Sequence, residues 1–282
     1  MDTPLHMAAG HASAMVAPIL DIALAHRGSP FAITGLQGSG KSTLASQVAA
    51  AAARRGLRVA VLSIDDFYLD RPVRRRLATR VHPLLATRGP PGTHEVALAC
   101  EVIDALLAGT PVALPRFDKI ADRRLPRSQW PLMRGCDLVI FEGWFLRTPA
   151  EAGVALAEPL NAVEHDDDPE GVWRHYVNDA LATHYTPLWS RLPRLLLLQA
   201  PSFDVVPGWR WQQEQSLQAA NPGRMTMDRA QVERFVQLFE RVSRQALRML
   251  PASAEHVVRL DAMRDPAHGD ILALRVAPTI AG

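Results

Sequence analysis

Two residue types are almost missing from this chain of 282 residues: cysteine stands only at Cys100 and Cys136, and lysine only at Lys41 and Lys119. Two cysteines cannot build a disulfide scaffold, so a reducing, cytoplasmic location and two buried thiols are expected. No apolar run approaches the ~18 residues of a membrane span. The best N-terminal candidate, Met15 to Ala25, is broken by Asp21 and follows no basic segment, which argues against a secretory signal. Internal repeats and low-complexity linkers are also missing. A net charge of +2 is too small to imply nucleic acid as a partner. With 48% hydrophobic and 21% charged residues, collagen-like, disordered and coiled-coil classes are excluded. The length allows one large α/β domain or two small ones. The shortage of lysine is informative in itself. Of 31 Lys plus Arg, 2 are Lys and so 29 are Arg, a skew typical of a GC-rich genome. A lysine that persists in such a background points to a position needing a compact ammonium instead of a planar fork.

The apolar pattern predicts a helix over residues 10–26 and a buried strand over Phe31–Thr34, which enters a glycine-rich loop. Ser42–Arg55, rich in alanine and stopped by Gly56, reads as helix. Arg58–Ile64 reads as a strand ending at Asp65 and Asp66. Glu95–Ala108 reads as helix, capped by Thr93 and stopped by Gly109. Val112–Leu114 and Asp137–Phe141 read as strands, the second ending at Glu142. Asp168-Pro169-Glu170 opens a helix running to Arg191. Leu195–Leu198 reads as a strand, 209–220 and 228–250 as helices, and Val257–Leu260 and Ile271–Val276 as late strands. Strands alternating with helices imply an α/β fold, a three-layer sandwich of a mainly parallel sheet with helices on both faces. Ligands bind such sheets at the carboxyl ends of the strands, where Gly35, Asp65 and Glu142 all fall.

Three segments carry chemistry. Gly35-Leu36-Gln37-Gly38-Ser39-Gly40-Lys41-Ser42 fits G-x-x-x-x-G-K-[ST] between a strand and a helix, and Thr43 extends the loop into that helix. Its glycines let backbone N–H groups turn toward phosphate oxygens, and the helix points its positive end at the same anion. Lys41 reaches the terminal phosphates, and the Ser42 hydroxyl is a Mg²⁺ ligand. Asp65, after the second strand, is placed to take a hydroxyl proton, although helix capping or a supporting place around Mg²⁺ would use it equally well. Leu138-Val139-Ile140-Phe141-Glu142-Gly143 is an apolar strand tipped by an acid that holds Mg²⁺ directly or through water. Arg74-Arg75-Arg76 reads as a solvated helix face, and Trp173, Tyr176, Trp189, Trp209 and Trp211 mainly as core.

Taken together, Gly35–Thr43, Ser63–Tyr68, Arg88–Glu95, Pro115-Arg116-Phe117-Asp118-Lys119, Glu142-Gly143-Trp144 and Trp209–Glu214 resemble the glycerate 3-kinase branch of the phosphoribulokinase/uridine kinase group of P-loop kinases, over residues 30–260. The P-loop is shared by many NTPases, whereas the Pro-Gly-Thr-His and Pro-Arg-Phe-Asp-Lys segments are far more specific. The resemblance implies one kinase domain over residues 1–282, with an inserted acceptor-binding region at 68–135 and a lid at 203–227. It implies ATP and Mg²⁺ as cofactors, with Asp65 as base and Glu142 beside the metal. Tyr68, His94, Arg116, Asp118 and Lys119 would face the phosphate acceptor, and Arg210 would come from the lid. Only Ile120-Ala121 separates Lys119 from Asp122-Arg123, where the branch usually has a longer Gly- and Ser-containing stretch, and His82 replaces an expected Asn. The acceptor loop is therefore remodelled.

The expected activity is transfer of the γ-phosphate of ATP to a small metabolite, with glycerate favoured. The four cations Arg116, Lys119, Arg123 and Arg124 outnumber Asp118 and Asp122 and suit a carboxylate, with Arg116 and Arg123 as its candidate anchors. Alternatives are a nucleoside, a pantothenate-like acid or a sugar phosphate as acceptor, or a regulatory nucleotide switch. A switch needs no hydroxyl-facing base. Neither nucleic acid nor a membrane is an expected partner.

Overall fold

A computed structural model describes residues 13–220, 223 and 226–275. The strands are β1 (Phe31–Gly35), β2 (Val59–Ser63), β3 (Val112–Ala113), β4 (Phe117–Asp118), β5 (Arg123–Arg124), β6 (Leu132–Met133), β7 (Leu138–Gly143), β8 (Arg194–Gln199) and β9 (His256–Arg259). The helices are α1 (Ser13–Ala25), α2 (Lys41–Arg54), α3 (Arg71–Arg80), α4 (Val96–Leu107), α5 (Ala162–Asp167), α6 (Val172–Thr183), α7 (Thr186–Trp189), α8 (Val206–Ala220), α9 (Arg229–Met249) and α10 (His268–Arg275).

Five strands form one parallel sheet in the order β2-β7-β1-β8-β9. Runs such as Leu195–Leu198 are apolar at every position because both faces of the sheet are covered. Leu195 and Leu197 join one buried cluster with Ala32, Phe141 and residues of α4, α6 and α9. Leu196 and Leu198 join the other with Ile33, Ile140 and residues of α1, α2 and α8. The expected α/β three-layer sandwich is therefore the observed fold. Its register sets Ile33 beside Glu142 and Ser63 beside the same Glu142, so the tips of β1, β7 and β2 stand side by side.

Several local expectations are corrected. The Asp168–Arg191 helix is two helices: His184-Tyr185 interrupt it ahead of Pro187, and the first begins only at Val172. Its N-cap is Gly171 in place of Asp168, whose carboxylate from three residues earlier accepts the N–H groups of Trp173 (2.8 Å) and Arg174 (3.0 Å). Thr93 does not cap α4. Its Oγ1 accepts Gly89 N–H at 3.0 Å and donates to Pro90 O at 2.7 Å, closing the Arg88–Thr93 loop. Val112–Ala113 pairs antiparallel with β6, outside the main sheet. Ile271–Arg275 is helical, and Val276 lies outside the described residues, as do residues 10–12 of the first expected helix. In place of a strand beside β9, the Asp270 carboxylate accepts the Arg259 N–H at 2.7 Å. Arg74 is not solvated: it is 1% exposed and binds Leu69 O, Ala86 O and the Asp122 carboxylate. Cys100 is buried, whereas Cys136 is only half-buried. Among the described residues, no helix is long and apolar enough to cross a membrane.

Candidate functional site

The glycine-rich loop leaves β1 and enters α2. Gly38 and Gly40 take φ of 81° and 87°, a left-handed backbone that a side chain would resist. Gly40 is the N-cap and has no side chain with which to cap α2, and the N–H end of a first helical turn is a seat for an anion. Among the described residues, Ser39 Oγ and both amide atoms of Gln37 are buried without a hydrogen-bond partner in the chain, which is the condition of a loop built around a polar ligand. Leu36 is buried beneath the loop, and Thr43 is exposed on the first turn.

Ser42 donates from Oγ to Glu142 Oε1 at 2.9 Å, joining the start of α2 to the tip of β7. Glu142 is 5% exposed. Among the described residues no three His, Cys, Asp or Glu side chains converge on a metal position. A Mg²⁺ ion bound chiefly by nucleotide phosphates and water needs only one or two protein oxygens, so the Ser42 hydroxyl and Glu142 carboxylate fit that role.

Asp65 lies in the 3₁₀ turn Ile64–Phe67 directly after β2, and Ser63 Oγ accepts its N–H. Its Oδ1 accepts the Tyr68 hydroxyl at 2.6 Å, and its Oδ2 accepts Lys119 Nζ at 2.5 Å. Burial pushes this carboxyl up, but the Lys119 ammonium, the two hydrogen bonds and the charge of Lys41 outweigh it and hold the pKa at about 2. Both lysines of the chain thus act on one carboxylate. Asp66 differs: burial raises its pKa, only partly opposed by Arg116 (3.1 Å) and the Phe117 N–H (3.2 Å).

The strip Thr93–Glu95 runs antiparallel to Phe67–Leu69, through Leu69 N–H to Thr93 O and Glu95 N–H to Phe67 O. This sets the His94 ring against Tyr68, 4.8 Å between centroids. Burial lowers the His94 pKa to about 3 despite the charge of Asp65, so the ring is neutral.

The hairpin β4–β5 brings the residues of the expected acceptor loop to this edge. Asp118 Oδ1 accepts the N–H groups of Ile120 and Ala121, both at 2.9 Å, and so shapes the shortened turn. Asp122, at φ 52°, is pinned by Arg74 and Arg88. Arg116 pairs with Asp66, Lys119 with Asp65, and Arg124 with Glu95, so three of the loop's cations are matched by acids from outside it. Lys119 remains 57% exposed, and Arg123 stands exposed on β5.

Within the expected lid, Phe203–Val205 is a 3₁₀ turn followed by α8, while residues 221, 222, 224 and 225 lie outside the described residues. Arg210 pairs with Glu214 at 2.9 Å and lies 5.9 Å over the Phe235 ring. Its neighbour Trp209 packs on the P-loop so closely that a Cβ on Gly38 would meet the Trp209 Cβ at 2.6 Å. Arg264 was not singled out by the sequence. Its Nε donates to Gly38 O at 2.6 Å, its Nη2 to Gln212 Oε1 at 2.8 Å, and its guanidinium lies 5.1 Å over Trp209. It therefore ties the P-loop to α8 from the loop after β9. Only its positive φ of 71° marks it as unusual, and that is invisible in a sequence.

The profile of the methylmalonyl-CoA mutase-associated GTPase MeaB family matches residues 7–67, the stretch holding the P-loop and Asp65. Over 206 residues the chain is 34% identical to the uncharacterized kinase mug58 of Schizosaccharomyces pombe (strain 972 / ATCC 24843), covering 68% of this chain and 73% of that protein. This chain belongs to the same family of P-loop kinases. The solved D-glycerate 3-kinase from Cryptococcus neoformans var. grubii serotype A superposes on the kinase with a TM-score of 0.73, covering 92% of this chain and 98% of that one at 21% identity. The YGR205w protein gives a TM-score of 0.65 at 26% identity, over 84% and 88% of the two chains. The fold shared with that D-glycerate 3-kinase therefore extends over 92% of this chain.

Proposed function

We propose that this kinase uses ATP and Mg²⁺ to phosphorylate a hydroxyl of a small acidic metabolite, with glycerate as the acceptor. Asp65 carries the assignment: an ionised carboxylate that pairs with Lys119 and feels the charge of the P-loop Lys41 is a base for a hydroxyl that approaches the γ-phosphate. A base held near pKa 2 takes a proton poorly. An acceptor carboxylate changes this by giving the Lys119 ammonium another partner. As Lys119 turns to it, the half-buried Asp65 loses its main opposing charge, and its proton affinity rises as the hydroxyl arrives. An uncharged acceptor offers no such exchange. The D-glycerate 3-kinase that shares this fold supports glycerate as the acid. The deprotonating role of Asp65 also separates this reading from a nucleotide switch.

Residues Gly35 to Thr43 hold the phosphates, Lys41 places a point charge on them, and Arg210 joins when the lid closes and releases it from Glu214. Ser42 and Glu142 would hold Mg²⁺, which would supply charge neutralisation at the phosphates. Tyr68 orients Asp65, while His94, Arg116, Asp118, Lys119 and Arg123 form the acceptor side. Arg123→Ala is expected to raise the glycerate KM about tenfold to a hundredfold, the scale of a charge-assisted hydrogen bond. The ATP KM should stay within a factor of about two, just under the smallest net hydrogen-bond contribution. A glycerate KM equal to wild type removes Arg123 from the site. Glu142→Gln is expected to weaken Mg²⁺ dependence, with activity partly recovered at high Mg²⁺. A Mg²⁺ titration identical to wild type contradicts that role.

A further inference from the structure

The proposed acceptor site contains one buried donor whose proton position can be worked out by hydrogen-bond accounting. His94 is 7% exposed, and Tyr185, from the break between α6 and α7, is 0% exposed. The Tyr185 hydroxyl oxygen lies 2.6 Å from His94 Nδ1 and accepts the Gly92 N–H at 3.0 Å. A peptide N–H only donates, so it cannot receive the phenol's single proton. If His94 carried its proton on Nδ1, the Tyr185 oxygen would accept twice and its own proton would be buried without a partner. If the phenol proton points to Nδ1, all three groups are satisfied. Burial raises the Tyr185 pKa, keeping that proton on the phenol, and lowers that of His94, keeping the ring neutral. The imidazole proton is then on Nε2.

That Nε2 is buried and, among the described residues, has no hydrogen-bond partner. The ring around it is fixed by Tyr68, Phe145 and Tyr185, at centroid distances of 4.8, 5.6 and 5.9 Å. The charged group acting on it is Asp65. A held, neutral N–H beside the candidate base, left unpaired by the fold, is what a ligand oxygen would complete.

We infer that Tyr185 is a positioning residue that locks His94 as its Nε2–H tautomer, and that this N–H binds an oxygen lone pair of the phosphoryl acceptor beside Asp65. The inference rests on the acceptor site proposed above. It selects acceptors with a hydroxyl or carboxylate oxygen at that point and disfavours those presenting a donor such as an amine.

Two measurements on the full chain test it. Nitrogen-15 NMR of the histidines, assigned with His94→Gln, is expected to show His94 protonated at Nε2 and bare at Nδ1 in the unliganded protein. Tyr185→Phe, which keeps the ring and removes the hydroxyl, is expected to show a mixture of tautomers and to raise the glycerate KM about tenfold, with the ATP KM unchanged. D-glycerate added with ADP should shift the Nε2 resonance in wild type and less in Tyr185→Phe. Nδ1 protonation in wild type overturns the inference even if Tyr185→Phe fails to fold. So does an unchanged tautomer together with an unchanged glycerate KM in Tyr185→Phe. If glycerate is no substrate, the functional proposal fails, while the tautomer, read without any acceptor, decides the role of Tyr185 separately.

Discussion

Asp65→Asn is expected to bind ATP normally and to lose about 10²–10⁴-fold in kcat, the usual scale for a general base. Wild-type Asp65 has two oxygens that both accept, one from Tyr68 and one from Lys119. The amide keeps one acceptor but sets an NH₂ donor against the other partner, and it cannot take the acceptor's proton. The pH profile adds a check. Because the carboxyl is held at about 2, Asp65 in the free enzyme stays ionised as pH falls and is protonated only on passing through that value. The wild-type kcat/KM should therefore show no acid limb from Asp65 between pH 5 and 8. Near-normal turnover of Asp65→Asn at saturating acceptor would remove Asp65 from the mechanism and leave Asp66, whose carboxyl burial raises, as the base.

Lys41→Ala should lower kcat by about 10²–10³-fold, the cost of losing one preorganised charge stabiliser. Lys41 begins α2 directly after left-handed Gly40, and its charge reaches Asp65, so in the proposed site it would act between nucleotide and base. Lys41→Arg should not restore the rate, since a planar fork does not replace a compact ammonium in that turn. A Lys41→Ala enzyme within a few-fold of wild type would mean that the terminal phosphates lie elsewhere.

Much of this site is legible in the sequence because its signals are local. The P-loop spacing, the acid at the tip of an apolar strand and the two surviving lysines are each read without knowing the fold; the parallel sheet gathers the P-loop with Lys41 and Glu142 at one edge, and the β4–β5 hairpin adds Lys119. What escapes is long-range. Arg74 is buried because Asp122, 48 residues away, meets it, and a run of three arginines alone reads as solvated. Tyr185 meets His94 across 91 residues, at a helix break that the apolar pattern of 172–191 does not reveal. Arg264 reaches Gly38 across 226 residues. Ile271-Leu272-Ala273-Leu274 is too short for its period to separate strand from helix. The fold decides it, through Asp270 at the edge of β9.

The most direct test of the central claim is ADP release by the wild-type kinase with ATP and a concentration series of D-glycerate, glycerol or uridine, with the phosphorylated product identified. Glycerol keeps hydroxyls but lacks the carboxylate that would draw Lys119 from Asp65. Glycerate is expected to exceed glycerol by about tenfold to a hundredfold in kcat/KM, on the scale of one charge-assisted interaction, and to yield phosphoglycerate. Equal turnover with glycerol or uridine, or ATP hydrolysis indifferent to all three, would contradict it.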